Sequence, residues 1–339
     1  MTTSANWQVT DDDREVIGRE LSGFVPDRVF DAHAHLHRAE WWASPPPIVV
    51  TGPFEAGLQT YREHLGRLLP GRELHALHMA YPFAGADEAT LAAANAWVAS
   101  QAAQDPLGAC LMVVPPNDDP DQVRETGRSL GVRGLKPYHL YAALERTWDA
   151  AIPDYLPESL MAVADAEEWV VVLHLVRPRG IADPLNQHWV RRYCERYPRA
   201  RLVLAHCARG FNPYHVLEGL PPLADLPNLW VDTSAVCNAM GVLAALQIMG
   251  TGRVLYGSDF CVSQIRGTAF SVADTFLWLD EEHAPDAPAH AADFALPLVG
   301  VENLRAVRAA ARLAKLNDGD VGALFWGNAA RLLDLAPGS

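Results

Sequence analysis

Eight short apolar runs separated by stretches of helical spacing predict a (β/α)8 TIM barrel, of the α/β class, for this 339-residue chain. Several runs are apolar at consecutive positions, such as Val170-Val171-Val172-Leu173 and Leu202-Val203-Leu204-Ala205, as parallel strands covered on both faces require. The first run leads into Ala34-His35-Leu36-His37-Arg38 rather than the glycine-rich phosphate turn of a doubly wound sheet. The closed barrel is therefore preferred to the open sheet.

Residues 1–27 read as an N-terminal arm with one short helix, ending at Pro26, and residues 28–335 as a single barrel domain without a linker. The first strand covers 28–36. A long loop follows, with Trp41, Trp42 and Pro45-Pro46-Pro47, then a helix over 54–69 closed by Pro70-Gly71. Trp41 and Trp42 read as core or interface packing, with the wall of a binding site as the alternative. The remaining strands fall at 74–81, 108–114, 132–137, 170–176, 201–207, 229–234 and 254–259, and helical spacing marks 89–103, 158–168 and 184–197. Beyond the eighth strand, 260–316 is a long excursion with a proline- and alanine-rich patch at 285–288. The chain closes in Phe325-Trp326-Gly327-Asn328, where Asn328 is placed to cap a final helix.

Half the residues are hydrophobic and a fifth charged, which excludes a disordered chain. A net charge of -14 argues against a nucleic-acid or anionic-membrane surface as the main function. The five cysteines are odd in number and lack Cys-x-x-Cys spacing, so neither a disulfide framework nor a thiolate zinc site is expected, and a reducing cytoplasm fits. No apolar run of about 18 residues and no basic-then-apolar leader occurs, so the expectation is a soluble, unexported protein.

The chemistry gathers at the strand ends, where a barrel of this kind carries its active site. In Asp31-Ala32-His33-Ala34-His35, strand alternation sends Asp31, His33 and His35 to one face and Phe30, Ala32 and Ala34 to the other. Later strands end in Lys136, His174, His206, Asp232 and Asp259. Imidazole and carboxylate ligands suit zinc, and also manganese or iron. His174 alone reads as a hydrogen-bonded core histidine, but so many such residues at the correct ends point to a metal site. Asp232 reads as a supporting carboxylate. Arg177 and Arg209, each three residues past a histidine, suit a substrate carboxylate, with a surface ion pair as the bland alternative. Arg38, Tyr138 and His139 are weaker candidates of the same kind, and His64, His75, His78, His188 and His215 have no assigned partner.

The order His-x-His, Lys, His, His, Asp resembles the amidohydrolase superfamily. Tyr256-Gly257-Ser258-Asp259 and Phe325-Trp326-Gly327-Asn328-Ala329-Ala330-Arg331-Leu332 resemble its amidohydrolase-2 branch, which holds decarboxylases related to aminocarboxymuconate semialdehyde decarboxylase and several lactonases. The resemblance implies His33, His35, His174 and Asp259 as metal ligands, with His206 as ligand or acid/base. In binuclear members the lysine corresponding to Lys136 is carboxylated and bridges two metals, which His174 and His206 would complete. In decarboxylase members that lysine is replaced and one metal is held. Gly134-Leu135-Lys136-Pro137 departs from the decarboxylase pattern and favours hydrolysis. The other reading of Lys136 is a free cation paired with Asp31, Asp259 or an anionic substrate. The expected function is thus a metal-dependent hydrolase of a small carboxylated molecule, opening a C–N or C–O bond with Asp259 and His206 as proton-handling groups. A decarboxylase is the first alternative and a non-catalytic binding barrel the second. A small-molecule substrate and a homodimer are the expected partners.

Overall fold

The computed structural model describes residues 6–83, 85, 87–281 and 295–335. Its strands are β1 (Arg28–Arg38), β2 (Glu55–Ala56), β3 (Glu73–Ala80), β4 (Ala109–Val114), β5 (Gly134–Pro137), β6 (Val170–Leu173), β7 (Arg201–Leu204), β8 (Leu229–Asp232), β9 (Val254–Leu255), β10 (Gly267–Val272) and β11 (Thr275–Asp280). Parallel pairing runs β1-β3-β4-β5-β6-β7-β8-β9, with β2 antiparallel on the end of β1. The residues after β9 close the ring on β1. Ala32 N donates to the Tyr256 carbonyl and Asp259 N to the His33 carbonyl, both at 2.9 Å, and Ala34 bridges Phe260 in parallel. The result is the (β/α)8 barrel.

Alternate strand residues, among them Phe30, Leu77, Leu111, Val172, Val203 and Leu255, fill the barrel interior, and Leu332 and Leu333 join them from the closing helix. A larger cluster lies between the strands and the outer helices. Each such apolar side chain contributes about 1.5–3 kcal/mol when fully buried. Short polar residues set the helix starts. The Asp87 carboxylate accepts from Thr90 N at 2.7 Å, and Asp183 accepts from Leu185 N at the head of Pro184–Arg196.

Two expectations change, and two gain detail. The helix expected from residue 54 begins at Leu58, because Glu55 and Ala56 pair with the end of β1. Asn328 does not cap a helix. Its own backbone is helical, and its side-chain amide donates to the Thr251 and Val254 carbonyls at 2.7 Å each, tying the last helix to β9. The excursion after the barrel contains the hairpin β10–β11 and the helix Val299–Leu313, while the patch at 285–288 lies outside the described residues. Finally, the N-terminal arm packs onto the barrel. Trp7 is buried, and the Asp13–Arg266 ion pair at 2.6 Å fastens the arm to the root of the hairpin. No helix among the described residues is long and apolar enough to cross a membrane.

Candidate metal centre

His174, His206 and Asp259 stand just beyond the ends of β6, β7 and β9, so those strands are shorter than their apolar runs suggest, while His33, His35 and Lys136 lie within β1 and β5. After β7, His206, Cys207, Ala208 and Arg209 take φ values of 58°, 49°, 60° and 62°, and Asp259 after β9 takes 56°. Left-handed backbone costs roughly 1–2 kcal/mol per non-glycine residue, so such a turn persists only where its surroundings fix it. Here two buried carboxylates replace ladder partners. Asp232 Oδ1 accepts from His206 N at 2.9 Å and Ser234 N at 3.0 Å. Asp31 accepts from Ser258 N at 2.8 Å, Ser258 Oγ at 2.5 Å and the Tyr61 hydroxyl at 3.3 Å.

Asp31 therefore does not share a face with the histidines. The β1–β3 register shifts between Asp31 and Ala34. Phe30 and Ala32 face the barrel interior, while Ala34 and Leu36 pack in the outer cluster. A bulge re-aims the strand, and the expected simple alternation fails at that point.

His33 Nε2 lies 3.2 Å from His35 Nε2 and 3.7 Å from Asp259 Oδ1, and His35 Nε2 lies 3.4 Å from the same oxygen. These three buried residues offer ligand atoms that all fall within 4.8 Å of one another. A second pair stands beside them, His206 Nε2 and His174 Nδ1, 3.1 Å apart. Lys136 Nζ sits 3.4 Å from His33 Nε2. The outer nitrogens are engaged. His33 Nδ1 meets Asp232 Oδ2 at 2.9 Å, His35 Nδ1 meets the Ala80 carbonyl at 3.2 Å, and His206 Nδ1 meets the Ser234 carbonyl at 2.9 Å. Such acceptors hold the proton on Nδ1 and leave the Nε2 lone pairs aimed inward at one another and at a carboxylate. That arrangement is repulsive without a cation between the donors, and the donor set fits a divalent metal.

Burial pushes His35, His174 and His206 below the ordinary histidine range, so each is held as a neutral imidazole able to donate a lone pair. Burial pushes Lys136 down to about 8, against the pull of Asp232 and Asp259. Burial alone would raise Asp232, but the charge and hydrogen bond of His33 hold it well below the usual carboxylate range.

A cavity of about 290 Å³ opens over these groups, walled by Tyr81, Tyr138, Trp148, Phe211, Phe276 and Trp278 with Arg209 among them. Arg209 stands 5.2 Å from the Trp148 ring and 5.5 Å from Phe276. Arg177 does not line the cavity; it is bonded to Asp183 at 2.8 Å and to the Asp149 carbonyl at 3.0 Å. Arg38 is likewise taken up, by Glu55 and Glu40. Tyr138 is in the wall, and His139 packs tilted against Trp148, ring centroids 4.3 Å apart. Trp41 packs in the core against Phe83 and Trp97, and Trp42 leans on Tyr81. Sequence reasoning did not find Trp148, Phe211 or the hairpin residues Phe276 and Trp278. Only the spacing of Phe211 two residues past Arg209 offered a local hint.

A family model described as amidohydrolase matches residues 30–335. Among solved structures, an amidohydrolase from Burkholderia multivorans with bound zinc aligns at TM-score 0.58 and 17% identity, covering 91% of this chain and 99% of that one. A candidate 2-pyrone-4,6-dicarboxylic acid hydrolase from Pseudomonas putida aligns at 0.55 and 16%, covering 91% and 98%. A dihydroxybenzoic acid decarboxylase from a Polaromonas species, with bound manganese and 2-nitroresorcinol, aligns at 0.53 and 16%, covering 92% and 97%. Curated proteins give no match. At these identities the structural likeness is one of fold.

Proposed function

The chain belongs to the amidohydrolase family, and we propose that it is a divalent-metal-dependent hydrolase that opens an amide, lactone or ester bond in a small carboxylated molecule. The observation that carries this reading is the place of Lys136, buried 3.4 Å from His33 Nε2 with the His33–His35–Asp259 and His174–His206 groups both at hand. Carboxylation of its amine by carbon dioxide, with release of a proton, would supply an anionic oxygen to each group. His33, His35 and Asp259 would hold the first ion, His174 and His206 the second, and zinc suits these donors, with manganese or iron as the other choices.

When bound, a divalent ion makes hydroxide available near neutral pH by lowering the pKa of its water from 15.7 to about 7. Asp259, on the cavity wall, accepts the proton of the attacking water and passes it to the leaving group. His206, with its Nδ1 proton fixed on Ser234 and its Nε2 lone pair turned inward, would help hold the second ion, whose positive charge would steady the developing oxyanion. Arg209 meets the substrate carboxylate, and the aromatic walls exclude water. A non-oxidative decarboxylase is the second reading, favoured by a cavity walled by six aromatic rings that suits a flat carboxylated ring. In that case Lys136 stays an amine and His206 delivers the proton to carbon. The five free cysteines support a reducing, cytoplasmic home for the protein.

Metal analysis of protein purified without chelator and with bicarbonate tests the choice. Two ions per chain, reduced to one or none in Lys136→Ala, support the bridged hydrolase. One ion unchanged by that substitution overturns it in favour of the decarboxylase, and carboxylated aromatics would then be screened for carbon dioxide release.

A further inference from the structure

Arg177 begins the loop after β6 in left-handed backbone, φ 74°. Its N–H donates to the Trp148 carbonyl at 2.9 Å, its Nη1 to the Asp149 carbonyl at 3.0 Å and its Nε to Asp183 at 2.8 Å. Its own carbonyl accepts from Gly180 N at 3.1 Å and from Arg209 Nη1. Behind it the fully buried Asn186 donates to the Val176 and Gly180 carbonyls at 2.9 and 2.8 Å, which makes the loop rigid. Gly180 leaves room for the neighbour: a Cβ there would stand 3.1 Å from Arg209 Cβ. One residue thus holds, from behind, both the turn that carries Trp148 and the guanidinium that faces the cavity.

We propose that Arg177 is a positioning residue that locks Arg209 and Trp148 into an anion subsite and so sets the preference for a carboxylated ligand over its neutral counterpart. The inference rests on the reading that Arg209 receives the substrate carboxylate. Arg209 forms no ion pair among the described residues, and burial pushes its guanidinium below the ordinary arginine range. With Nη1 donating to the Arg177 carbonyl, the remaining N–H groups of this buried cation can meet a planar carboxylate, but two parallel hydrogen bonds demand a fixed orientation. Arg177 supplies that orientation.

The test is a pair of titrations on the zinc-loaded enzyme, with benzoate and with benzamide, in wild type, Arg177→Ala, Asp183→Asn and Arg209→Gln. Asparagine at 183 still caps the helix at Leu185 while removing the anion from Arg177. The wild type is expected to prefer benzoate by about tenfold, the worth of a charge-assisted pair. Arg209→Gln should erase most of that preference. Arg177→Ala and Asp183→Asn should lower it about fivefold while benzamide affinity stays within about twofold. A wild-type preference in both of those variants, in a protein where Arg209→Gln abolishes it, overturns the role of Arg177. Equal weakening of both ligands also overturns it, because a loosened structure would not change their ratio. A wild-type ratio in Arg209→Gln defeats the carboxylate reading of Arg209 itself, and the inference with it.

Discussion

The two ends of the barrel both bury histidines against carboxylates, yet they complete their bonding in opposite ways. At the amino end, His75 Nδ1 meets Asp105 at 2.7 Å and His75 Nε2 meets Glu73 at 3.0 Å. Both nitrogens are satisfied. At the carboxyl end, His33, His35 and His206 place Nδ1 on outer acceptors; the Nε2 atoms of His33 and His35 converge with Asp259, and that of His206 faces His174 Nδ1. The first arrangement is an ion-pair network complete in itself; the second is complete only around a cation. Titration follows the same division. Burial disfavours the His75 imidazolium, but hydrogen bonds to Asp105 and Glu73 raise it above the ordinary histidine range. At the other end burial prevails, and His35 is held neutral. His33 and His35 are thus marked as candidate ligands by the nitrogens that converge on Asp259, not by their burial.

Substitutions at the two ends should separate function from stability. The largest effect belongs to Asp259→Asn, which should lower turnover of a screened lactone or amide by about a thousandfold, within the range of general acid–base catalysis. Retention of wild-type rates would remove Asp259 from the chemistry. Asp232→Asn comes next. It leaves the inner donors in place but loses the anion on His33 Nδ1, so metal affinity should weaken about 10–100-fold in a chelator competition. An unchanged affinity would mean that Asp232 serves only the backbone of His206 and Ser234.

His75→Ala should leave metal content alone and cost about 2 kcal/mol in urea stability. Its cost should depend on pH in a defined direction. His75 is raised, so its contribution is complete below about 6.5, its value in the unfolded chain, and fades as pH climbs through the higher folded value. Asp105 is lowered, because hydrogen bonds and charge from His75 outweigh the burial that would raise it. Its contribution is present above about 3.8 and fades as pH falls through the folded value. The gap between wild type and His75→Ala should therefore be widest at about pH 5 and narrower near pH 3 and pH 9. A gap constant across that range would show that the pair carries no linked proton. The smallest effect is expected from Arg38→Ala. Its partly exposed pairs with Glu55 and Glu40 should be worth less than about 0.5 kcal/mol, and neither rate nor metal content should move.

Much of the site was legible because barrel architecture puts function at strand ends, where the residue types alone are informative. His33, His35, His174, His206, Lys136 and Asp259 all border one cavity, as their positions at the ends of five of the eight apolar runs led one to expect. The two arginines show where that reasoning stops. Arg177 and Arg209 hold equivalent sequence offsets, yet one is consumed by Asp183 and the Asp149 carbonyl while the other enters the cavity. Offset fixes a loop, but the acceptor that captures a long side chain lies on another loop. The aromatic walls were missed for a similar reason, since Phe276 and Trp278 belong to a hairpin 70 residues beyond His206 whose docking no local pattern encodes.

The sequence by itself determined the alternation of strand and helix, the closed parallel sheet and the donor types at its carboxyl end, because burial on both faces and strand order are written as local apolar pattern. Tertiary structure alone decided the facing of each donor. The bulge that turns Asp31 away from His33 and the left-handed turn that aims His206 are held by bonds from Asp31 to Ser258 and from Asp232 to His206, 227 and 26 residues apart. A side chain's direction at the end of a strand depends on which distant group satisfies its backbone, and only the closed barrel brings those groups together.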